Sequence, residues 1–595
     1  MTPILLPMTL EQFYTAHAER YDRQVSALRA RGRGFVVVEI VAFIAFFALM
    51  VGATQTSHSG WRMTEVGLSL VSLVVYLAVR RLDVRNDERI RDEEDLRTAY
   101  EREAQAQCGD HGAFDDGARY VDAHHAFSFD LDLFGSDGLY QRMCRTVSTG
   151  GSDALAQRLR DLQPIGATPE EIDRLAADVS FRMAFIAKGS RGKIDTEAIR
   201  QSLMAVLQLP IPAFLTSPWI ALLVRIDVVA FLVSVIAAVM GRVDAMLPMW
   251  WGTLHFFLAY ALCNAHLRHI GGALDRLHGQ MRQLVSVISL LTPTRIPSFS
   301  QLNGLLNDLD KRGNILGLLL TDSFYLSDML VVRRFAKWRE QGADEVEAWM
   351  DRMVRKDVEV TVATLRYNHP ATVWPEQVAT SALTFEARGL WHPFLGAKAV
   401  RNDFRIEDRN FYIVTGANMA GKSTFLRAIG VNYVLAMTGM PVFAECLSVS
   451  RFKLFSSMRT SDDLSRGISY FNAELLRLKQ LIAFCGHNVV GHDGQPLPTL
   501  IILDEILKGT NSADKLNGSR MFLEAISHKD VAGIIATHDL KLSEMADREP
   551  SRFHNYCFEI ELGERVTYSY KVTPGVAKNQ NATYLLRQIL ESGQA

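Results

Sequence analysis

The chain has 595 residues, with 64 Lys and Arg against 66 Asp and Glu, a formal net charge of −2. At roughly 150 residues per domain this length predicts about four domains, and the balanced charge argues against a protein that holds nucleic acid by bulk positive charge. The six cysteines are scattered, with no CxxC pair. Their spacing argues against a disulfide framework and a cysteine-based zinc site, and favours reduced cysteines in a mostly cytosolic protein.

Residues Gly34–Thr54 form an apolar run with a single charge, Glu39. About 20 apolar residues cross a bilayer core, and a second run, Met63–Val79, follows after a short polar loop. A signal peptide is disfavoured by the length of the first run, by the lack of a small-residue cleavage site and by the second run directly behind it. We therefore predict a transmembrane hairpin at 34–79, preceded by a cytoplasmic helix at 1–33.

The arginines around this hairpin predict its orientation. Five precede it and five follow it: Arg20, Arg23, Arg29, Arg31, Arg33, Arg80, Arg81, Arg85, Arg89 and Arg91. The loop Ala53–Trp61 contains neither Lys nor Arg. Because positive flanks stay inside, both ends of the hairpin are expected in the cytoplasm and the loop outside. The sequence thus predicts a multi-pass protein of the cytoplasmic (inner) membrane, with the lipid bilayer as a partner.

A second apolar pair lies at 219–267. Its first helix reaches the length of a membrane span only if it includes Arg225 and Asp227. Charged side chains inside a span carry a free-energy cost, which mutual pairing or an interfacial position would reduce. Paired tryptophans at 250–251 are typical of a membrane boundary. We predict a second transmembrane hairpin at 219–267, with a buried helical hairpin of a soluble domain as the alternative.

The remaining segments differ in their periodicity. The charged stretch over residues 80–120 predicts a solvated helix, helical periodicity dominates from about 130 to 210, and residues 276–365 are again mostly helical in pattern. We therefore predict helical regions at 80–218 and 268–381. From residue 382 to 595 short β-rich runs alternate with helices: ALTFEA, NFYIVT, TLIILDE and VAGIIATHD. This alternation predicts a parallel sheet, so the expected fold class is multidomain, α plus α/β.

The segment Gly416–Ser423 matches the pattern GxxxxGK[ST] between a strand-like and a helix-like run. Glycines let backbone N–H groups surround phosphates, and the helix N-terminus adds its positive dipole end. Lys422 can reach the β- and γ-phosphates, and the Ser423 hydroxyl can ligate Mg²⁺. The predicted nucleotide-binding residues are Gly416, Ala417, Asn418, Met419, Ala420, Gly421, Lys422, Ser423 and Thr424.

Two further apolar strands end in chemically active residues. Leu500–Leu503 leads into Asp504 and Glu505, which suit a Mg²⁺ ligand and a residue that activates water. The strand 531–536 leads into Thr537 and His538, which can contact the γ-phosphate or the attacking water. We predict Glu505, His538 and Lys422 as catalytic residues, and Ser423 and Asp504 as metal ligands.

Together these motifs resemble the ATPase domain of the MutS family, DNA mismatch-repair ATPases related to ABC ATPases. The segments that carry the resemblance are Thr415–Arg427, Asp504–Asp514, Ala536–Asp539, Ser461–Phe471, Arg388–Pro393, Asn402–Asp403 and Tyr570–Lys578. Residues 130–190 are more loosely similar to the start of the MutS helical core. The resemblance implies a C-terminal P-loop, ABC-like ATPase domain with a mostly parallel sheet at 382–595, ATP and Mg²⁺ as ligands, and a homodimer through the ATPase domains. It also implies that Ser469, in the signature segment, reaches the γ-phosphate in the partner's site.

The departures from the family limit what carries over. Where MutS proteins have an N-terminal mismatch-reading domain, this sequence has the first apolar hairpin, so that domain is expected to be absent. The expected function is a membrane-anchored, MutS-like ATPase, with DNA left open as a ligand and the protein partner unknown. The alternatives are a DNA mismatch repair protein that binds mismatched DNA and an ABC-type membrane transport machine.

Overall fold

The computed structural model describes residues 8–578 except 57–58, 209–210, 212, 240–241, 245, 275–277, 293–295, 313–321, 460–469, 488, 492–493 and 563–565. The chain divides into two compact units. The first comprises Met1–Asp110, Arg145–Asp153 and Asp178–Val358, and the second His111–Cys144, Ala154–Ala177 and Glu359–Ala595.

The described α-helices are α1 (Leu10–Gln55), α2 (Ser59–Gln107), α3 (Leu139–Met143), α4 (Thr149–Asp161), α5 (Pro169–Ala177), α6 (Val179–Ala187), α7 (Thr196–Leu207), α8 (Ala213–Thr216), α9 (Pro218–Val239), α10 (Met246–Leu274), α11 (His278–Leu291), α12 (Pro297–Arg312), α13 (Ser327–Asn368), α14 (Lys422–Met437), α15 (Tyr470–Gly486), α16 (Ser512–Ser527) and α17 (Met545–Arg548). Short 3₁₀ helices lie at Ala118–Tyr120, Pro393–Lys398 and Leu540–Glu544. The strands are β1 (Glu376–Val378), β2 (Thr384–Leu390), β3 (Asn402–Glu407), β4 (Phe411–Gly416), β5 (Cys446–Ser450), β6 (Lys453–Ser457), β7 (Thr499–Asp504), β8 (Val531–Thr537), β9 (Phe553–Leu562) and β10 (Val566–Pro574).

Helices α1 and α2 of the first unit form a long antiparallel hairpin. Helix α1 begins with a capping box, in which the Thr9 hydroxyl accepts from the backbone N–H of Gln12 and the Gln12 side chain accepts from that of Thr9. Small residues allow close approach: the Ser72 hydroxyl donates to the carbonyl of Ala42 at 2.9 Å, across the apolar part of the pair. Most apolar side chains on this part of the hairpin are exposed.

Four helices among the described residues are long and apolar enough to cross a membrane, judged by length and composition. They are Leu10–Gln55, Gly60–Gln107, Pro218–Ala238 and Met246–Arg268. Helix α9 begins at Pro218, so Arg225 and Asp227 do lie inside it. Asp227 is paired: its carboxylate lies 2.6 Å from Nε2 of His255 on α10 and accepts a hydrogen bond from the Trp251 indole at 3.3 Å.

A six-stranded sheet organises the second unit, in the order β10-β9-β4-β8-β7-β6. All neighbouring pairs are parallel except β9 and β10, which are antiparallel. Strands β4 and β8 are buried along their whole length, which explains why their sequences are continuous apolar runs. The predicted strands in NFYIVT, TLIILDE and VAGIIATHD are confirmed, and so is the mixed α and α/β character of the chain.

Two predictions need correction. The run ALTFEA lies in β2, which belongs to a separate four-stranded sheet (β1-β5-β2-β3) and pairs antiparallel with β3 and β5. Its alternating burial fits a strand with one face toward the core, whereas the prediction rested only on its place in a strand–helix alternation. The charged helix ends at Gln107 rather than near 120, and Gly109 follows with a φ of 92°, a left-handed conformation typical of helix ends.

Candidate active site

The loop between β4 and α14 occupies the carboxyl end of the central strand. Gly416 has a φ of 154°, and a Cβ there would lie 2.9 Å from the backbone oxygen of Phe558. Gly421, directly before α14, has a φ of 104°, and its Cβ would lie 3.1 Å from the Tyr570 ring. Both glycines are therefore required by close approach to β9 and β10, and the loop leads into the N-terminus of a 16-residue helix.

Lys422 is the first residue of α14 and is buried, with 5% of its surface exposed. Its ammonium donates to the carbonyl oxygens of Gly416 at 2.9 Å and Ala417 at 3.0 Å, and lies 3.4 Å from Nε2 of His538. It forms no ion pair with any residue that the structure describes. Burial lowers the pKa of Lys422 to about 8, against the opposing influence of the Asp504 and Glu505 carboxylates.

Asp504 ends β7, and Glu505 follows it in a left-handed conformation with a φ of 62°. The backbone N–H of Glu505 donates to the carbonyl of Ala536 at 2.9 Å, which extends the β7–β8 ladder by one residue and fixes this turn. The Glu505 carboxylate lies 3.1 Å from the Lys515 ammonium and 3.3 Å from Nε2 of His538. Burial tends to raise the pKa of Glu505, but Lys515 and His538 together hold it below its usual value.

His538 follows directly after β8, between the strands that carry the other candidate residues. Ala536 of β8 pairs with Val414 of β4 on one side and with Asp504 of β7 on the other. Because all three strands are parallel, their carboxyl ends meet at one edge of the sheet. Burial, followed by the neighbouring Lys422, lowers the pKa of the His538 imidazole.

A cavity of about 460 Å³ opens at this edge. The predicted residues that line it are Asn418, Met419, Ala420, Gly421, Lys422, Ser423, Thr424, Asp504 and His538. Gly416, Ala417 and Glu505 are not among its lining residues. The carbonyl oxygens of Gly416 and Ala417 accept from the Lys422 ammonium, and the Glu505 carboxylate contacts the lining residue His538. Ser469 lies outside the described residues, so its predicted role stays a prediction.

The sequence assigned no individual roles to the remaining lining residues of the cavity, which we call the other wall. It is mostly apolar and aromatic, with Leu390, Trp391, His392, Leu395, Lys398, Val400, Asn402, Phe425, Ala428, Phe558 and Tyr570. Tyr570 sits at an irregularity of the β9–β10 pairing, where Asn402 donates to its carbonyl at 3.1 Å. The motifs at 388–393, 402–403 and 570–578 already pointed to this wall. Each of them contributes residues to the lining of the same cavity.

His392 is the residue of that wall whose pKa is shifted furthest from its usual value. Its Nδ1 accepts from the backbone N–H of Phe394 at 3.3 Å, while its buried Nε2 has no hydrogen-bond partner among the residues that the structure describes. Burial, with the charges of Arg427 and Arg142, lowers the pKa of His392 to about 4. The imidazole is therefore neutral at physiological pH.

Comparisons with known proteins agree with this geometry. The family model described as MutS domain V matches residues 412–587. The DNA mismatch repair protein MutS of Thermotoga sp. (strain RQ2) is 27% identical over 232 residues, 38% of this chain and 27% of that protein. The MutS of Rickettsia canadensis (strain McKiel) is 34% identical over 182 residues, 30% of this chain and 19% of that protein.

A third relative, the DNA mismatch repair protein MutS of Aquifex pyrophilus, is 32% identical over 184 residues, 30% of this chain and 20% of that protein. The chain thus matches between 19% and 27% of the length of these three relatives. The region matched by the family model contains the 416–423 loop, the two acidic residues and His538. Residues 412–587 thus form a region that matches MutS domain V, in agreement with the resemblance carried by its motifs.

Proposed function

We propose that this protein is a membrane-anchored ATPase that binds ATP with Mg²⁺ in the cavity above the 416–423 loop and hydrolyses it. The observation that carries the proposal is Lys422, a buried cation that forms no ion pair with a described residue. Buried charges in proteins are normally paired. A phosphate group in the adjoining cavity would supply the missing negative charge, at the N-terminus of a helix that favours an anion.

The two walls of the cavity suit the two ends of a nucleotide. The loop and the start of α14 offer backbone N–H groups, Lys422 and Thr424 to a triphosphate. The other wall, as defined above, offers Trp391, Leu395 and Tyr570, whose apolar and aromatic surfaces suit a planar base. We therefore assign the base to this wall and the phosphates to the loop.

The residues present also fit a magnesium ion. The Ser423 hydroxyl and the Asp504 carboxylate line the same cavity as Lys422, and Mg²⁺ prefers oxygen ligands combined with nucleotide phosphates. When bound, the ion would neutralise charge on the phosphate oxygens. Glu505 would accept a proton from water as the water oxygen bonds to the γ-phosphorus and the bond to ADP breaks, and His538 would orient this carboxylate and contact the γ-phosphate.

The test is Mg²⁺-dependent release of phosphate from ATP by the full-length chain in detergent. We expect turnover that requires Mg²⁺ and is lost in Lys422→Ala. Turnover equal to wild type in Lys422→Ala would mean that another site or a contaminating enzyme hydrolyses the ATP.

Membrane anchoring is supported by the four long apolar helices and their exposure. In the most apolar 18-residue stretch of each helix, the buried share is 11% in α1, 6% in α2, 17% in α9 and 28% in α10. This exposure favours lipid over a soluble core as the surroundings of these helices. A Gly60→Cys variant, at an exposed position, should react with a membrane-impermeant thiol reagent added outside intact cells, whereas Asp92→Cys, on the far side of the predicted span, should react only after lysis. Protection of Gly60→Cys from the outside would overturn the proposed topology.

Dimerisation through the ATPase domains, with Ser469 acting across the interface, belongs to the same proposal. It rests on the family resemblance of segment 461–471. A transport machine is the less favoured alternative because the four candidate spans in the described part of the chain are few for such exporters.

DNA stays open as a partner, since the relatives are named DNA mismatch repair proteins. Binding of the full-length chain to matched and mismatched duplexes at several salt concentrations separates the cases. Phosphate contacts alone weaken steeply with salt and show no preference, whereas mismatch recognition gives a ratio that persists. We expect no such ratio.

A further inference from the structure

The α1–α2 hairpin carries four exposed arginines at the same level along its long axis, just beyond its apolar part. Two hydrogen bonds fix how the helices face each other: Ser72 to the Ala42 carbonyl, and the Asn86 amide to the Leu28 carbonyl at 3.1 Å. This pairing brings Arg31 and Arg33 of α1 level with Arg81 and Arg85 of α2; all four are exposed. At 1.5 Å per residue they lie within about 10 Å of the apolar boundary at 34 and 79.

These four arginines, which we call the proximal arginines, differ from their neighbours in their partners. Arg29 is paired with Glu94 at 2.6 Å, and Arg80 lies 3.4 Å from Asp83 and 3.6 Å from Glu39. Among the residues that the structure describes, the proximal arginines form no ion pair. Four positive charges therefore have no carboxylate partner among the described residues, although the Arg31 guanidinium lies over the Phe35 ring, and they stand beside an exposed apolar surface.

The residue type adds a second observation. Residues 1–107 contain no lysine, so every basic side chain on the hairpin apart from histidine is arginine. Positive charge alone would be served equally well by lysine. The planar guanidinium can hold two oxygens of one phosphate group at once, which an ammonium cannot do.

We propose that the proximal arginines bind the headgroup phosphates of anionic phospholipids in the cytoplasmic leaflet. The inference rests on the proposed membrane anchoring. A lipid is favoured over free phosphate because the adjoining helix surface is apolar and exposed: Val36 and Val37 lie within a few residues of Arg33, and Leu77 within four of Arg81. One molecule with a phosphate beside acyl chains matches both surfaces.

The chain offers a matched control set farther along the same hairpin. Arg20, Arg23, Arg89 and Arg91 are exposed as well and form no ion pair with described residues. They lie about 15–20 Å beyond the apolar boundary, outside the reach of headgroups. Removing them takes away the same charge without touching the proposed site.

The experiment counts lipids retained by the full-length chain in detergent micelles, by native mass spectrometry, after addition of phosphatidylglycerol or phosphatidylcholine. We expect wild type to retain phosphatidylglycerol preferentially. Substituting the four proximal arginines by Gln should reduce that preference by at least about tenfold, substituting them by Lys should restore it only in part, and substituting the distal four by Gln should leave it unchanged. Inorganic phosphate at millimolar concentration should not displace the lipid.

Several results would overturn the inference. Equal retention of both lipids by wild type, or an equal loss from the proximal and distal Gln sets, would show that no headgroup site exists. Full recovery in the Lys variant would refute phosphate recognition by the guanidinium fork, and displacement by inorganic phosphate would identify a free-anion site. Flotation with pure phosphatidylcholine vesicles tests the anchoring separately, since all variants should still float with them if the helices insert.

Discussion

His538 and Glu505 lie 3.3 Å apart, from imidazole Nε2 to carboxylate Oε1, at the carboxyl edge of the six-stranded sheet. The other Glu505 oxygen contacts Lys515 at 3.1 Å. Both carboxylate oxygens are therefore engaged within the protein. A carboxylate has about four acceptor positions, so these two contacts leave Glu505 room to accept from a water, as the proposed mechanism requires.

Glu505→Gln should bind ATP normally and hydrolyse it slowly. The amide keeps the shape of the side chain but cannot accept a proton from water, so turnover should fall by about 10²–10⁴-fold. The measurement is steady-state phosphate release together with ATP affinity, with the exposed Glu549→Gln as the control for loss of one charge. Wild-type turnover in Glu505→Gln would remove this residue from the mechanism.

Mixing two inactive variants tests the proposed dimer. If Ser469 acts on the partner's nucleotide, a heterodimer of Ser469→Arg and Lys422→Ala has one site with both lesions and one with neither. Activity should partly return on mixing, although each variant alone has two damaged sites. If heterodimers form but no activity returns, each chain hydrolyses ATP without its partner.

Replacement of His392 should change the pH dependence of stability. Its pKa is about 4 in the folded chain, below the unfolded value near 6.5, so the folded state resists protonation. Protonation of His392 leaves the free energy of unfolding unchanged above pH 6.5 and lowers it as the pH falls toward 4. At pH 5 the decrease is on the order of 2 kcal/mol. His392→Asn keeps a cap for Phe394 and does not titrate, so its thermal midpoint should fall less than that of wild type between pH 7 and 5. Equal falls would show that His392 does not titrate in this way.

Asp130 should matter more for stability than Asp132, two residues away. The buried Asp130 carboxylate accepts from Ser456, from the backbone N–H groups of Met458 and Arg459, and from Arg477 at 3.2 Å. Asp130→Ala leaves Arg477 without its carboxylate and should cost on the order of 3 kcal/mol. Asp132→Ala breaks a more exposed pair with Arg459 and should cost less than about 1 kcal/mol.

Thermal unfolding and hydrogen exchange in the peptides around 452–459 and 470–480 would measure this difference. Asp130→Ala should speed exchange there, and Asp132→Ala should change it little. The opposite ranking would show that burial does not control the strength of this cluster.

The sequence was most informative about the strands that lead to the candidate site residues. The apolar strands that end at Gly416 and Asp504, and the one directly before His538, could be recognised because buried parallel strands read as continuous apolar runs. Since such strands end at one edge, the meeting of these residues followed from the topology.

Other features depend on contacts between distant segments, which a local pattern does not contain. The left-handed turn at Glu505 is fixed by Ala536 on another strand, and the position of Tyr570 depends on Asn402. The segment before α3 places Asp130 against residues 456–459, more than 300 positions away in the chain. Run ALTFEA was misplaced for the same reason, because its partners β3 and β5 decide its sheet.

Equilibrium binding of Mg²⁺-ATP to the full-length chain tests the central claim most directly. We expect saturable binding of one nucleotide per chain, weakened at least about tenfold by Lys422→Ala, because a charge-assisted contact to phosphate contributes roughly 1.5 kcal/mol or more. Lys515→Ala removes an equal charge that the structure pairs with Glu505, and its affinity should stay within about threefold of wild type. Absence of saturable binding in wild type, or equal weakening by the two lysine substitutions, would contradict the proposed site.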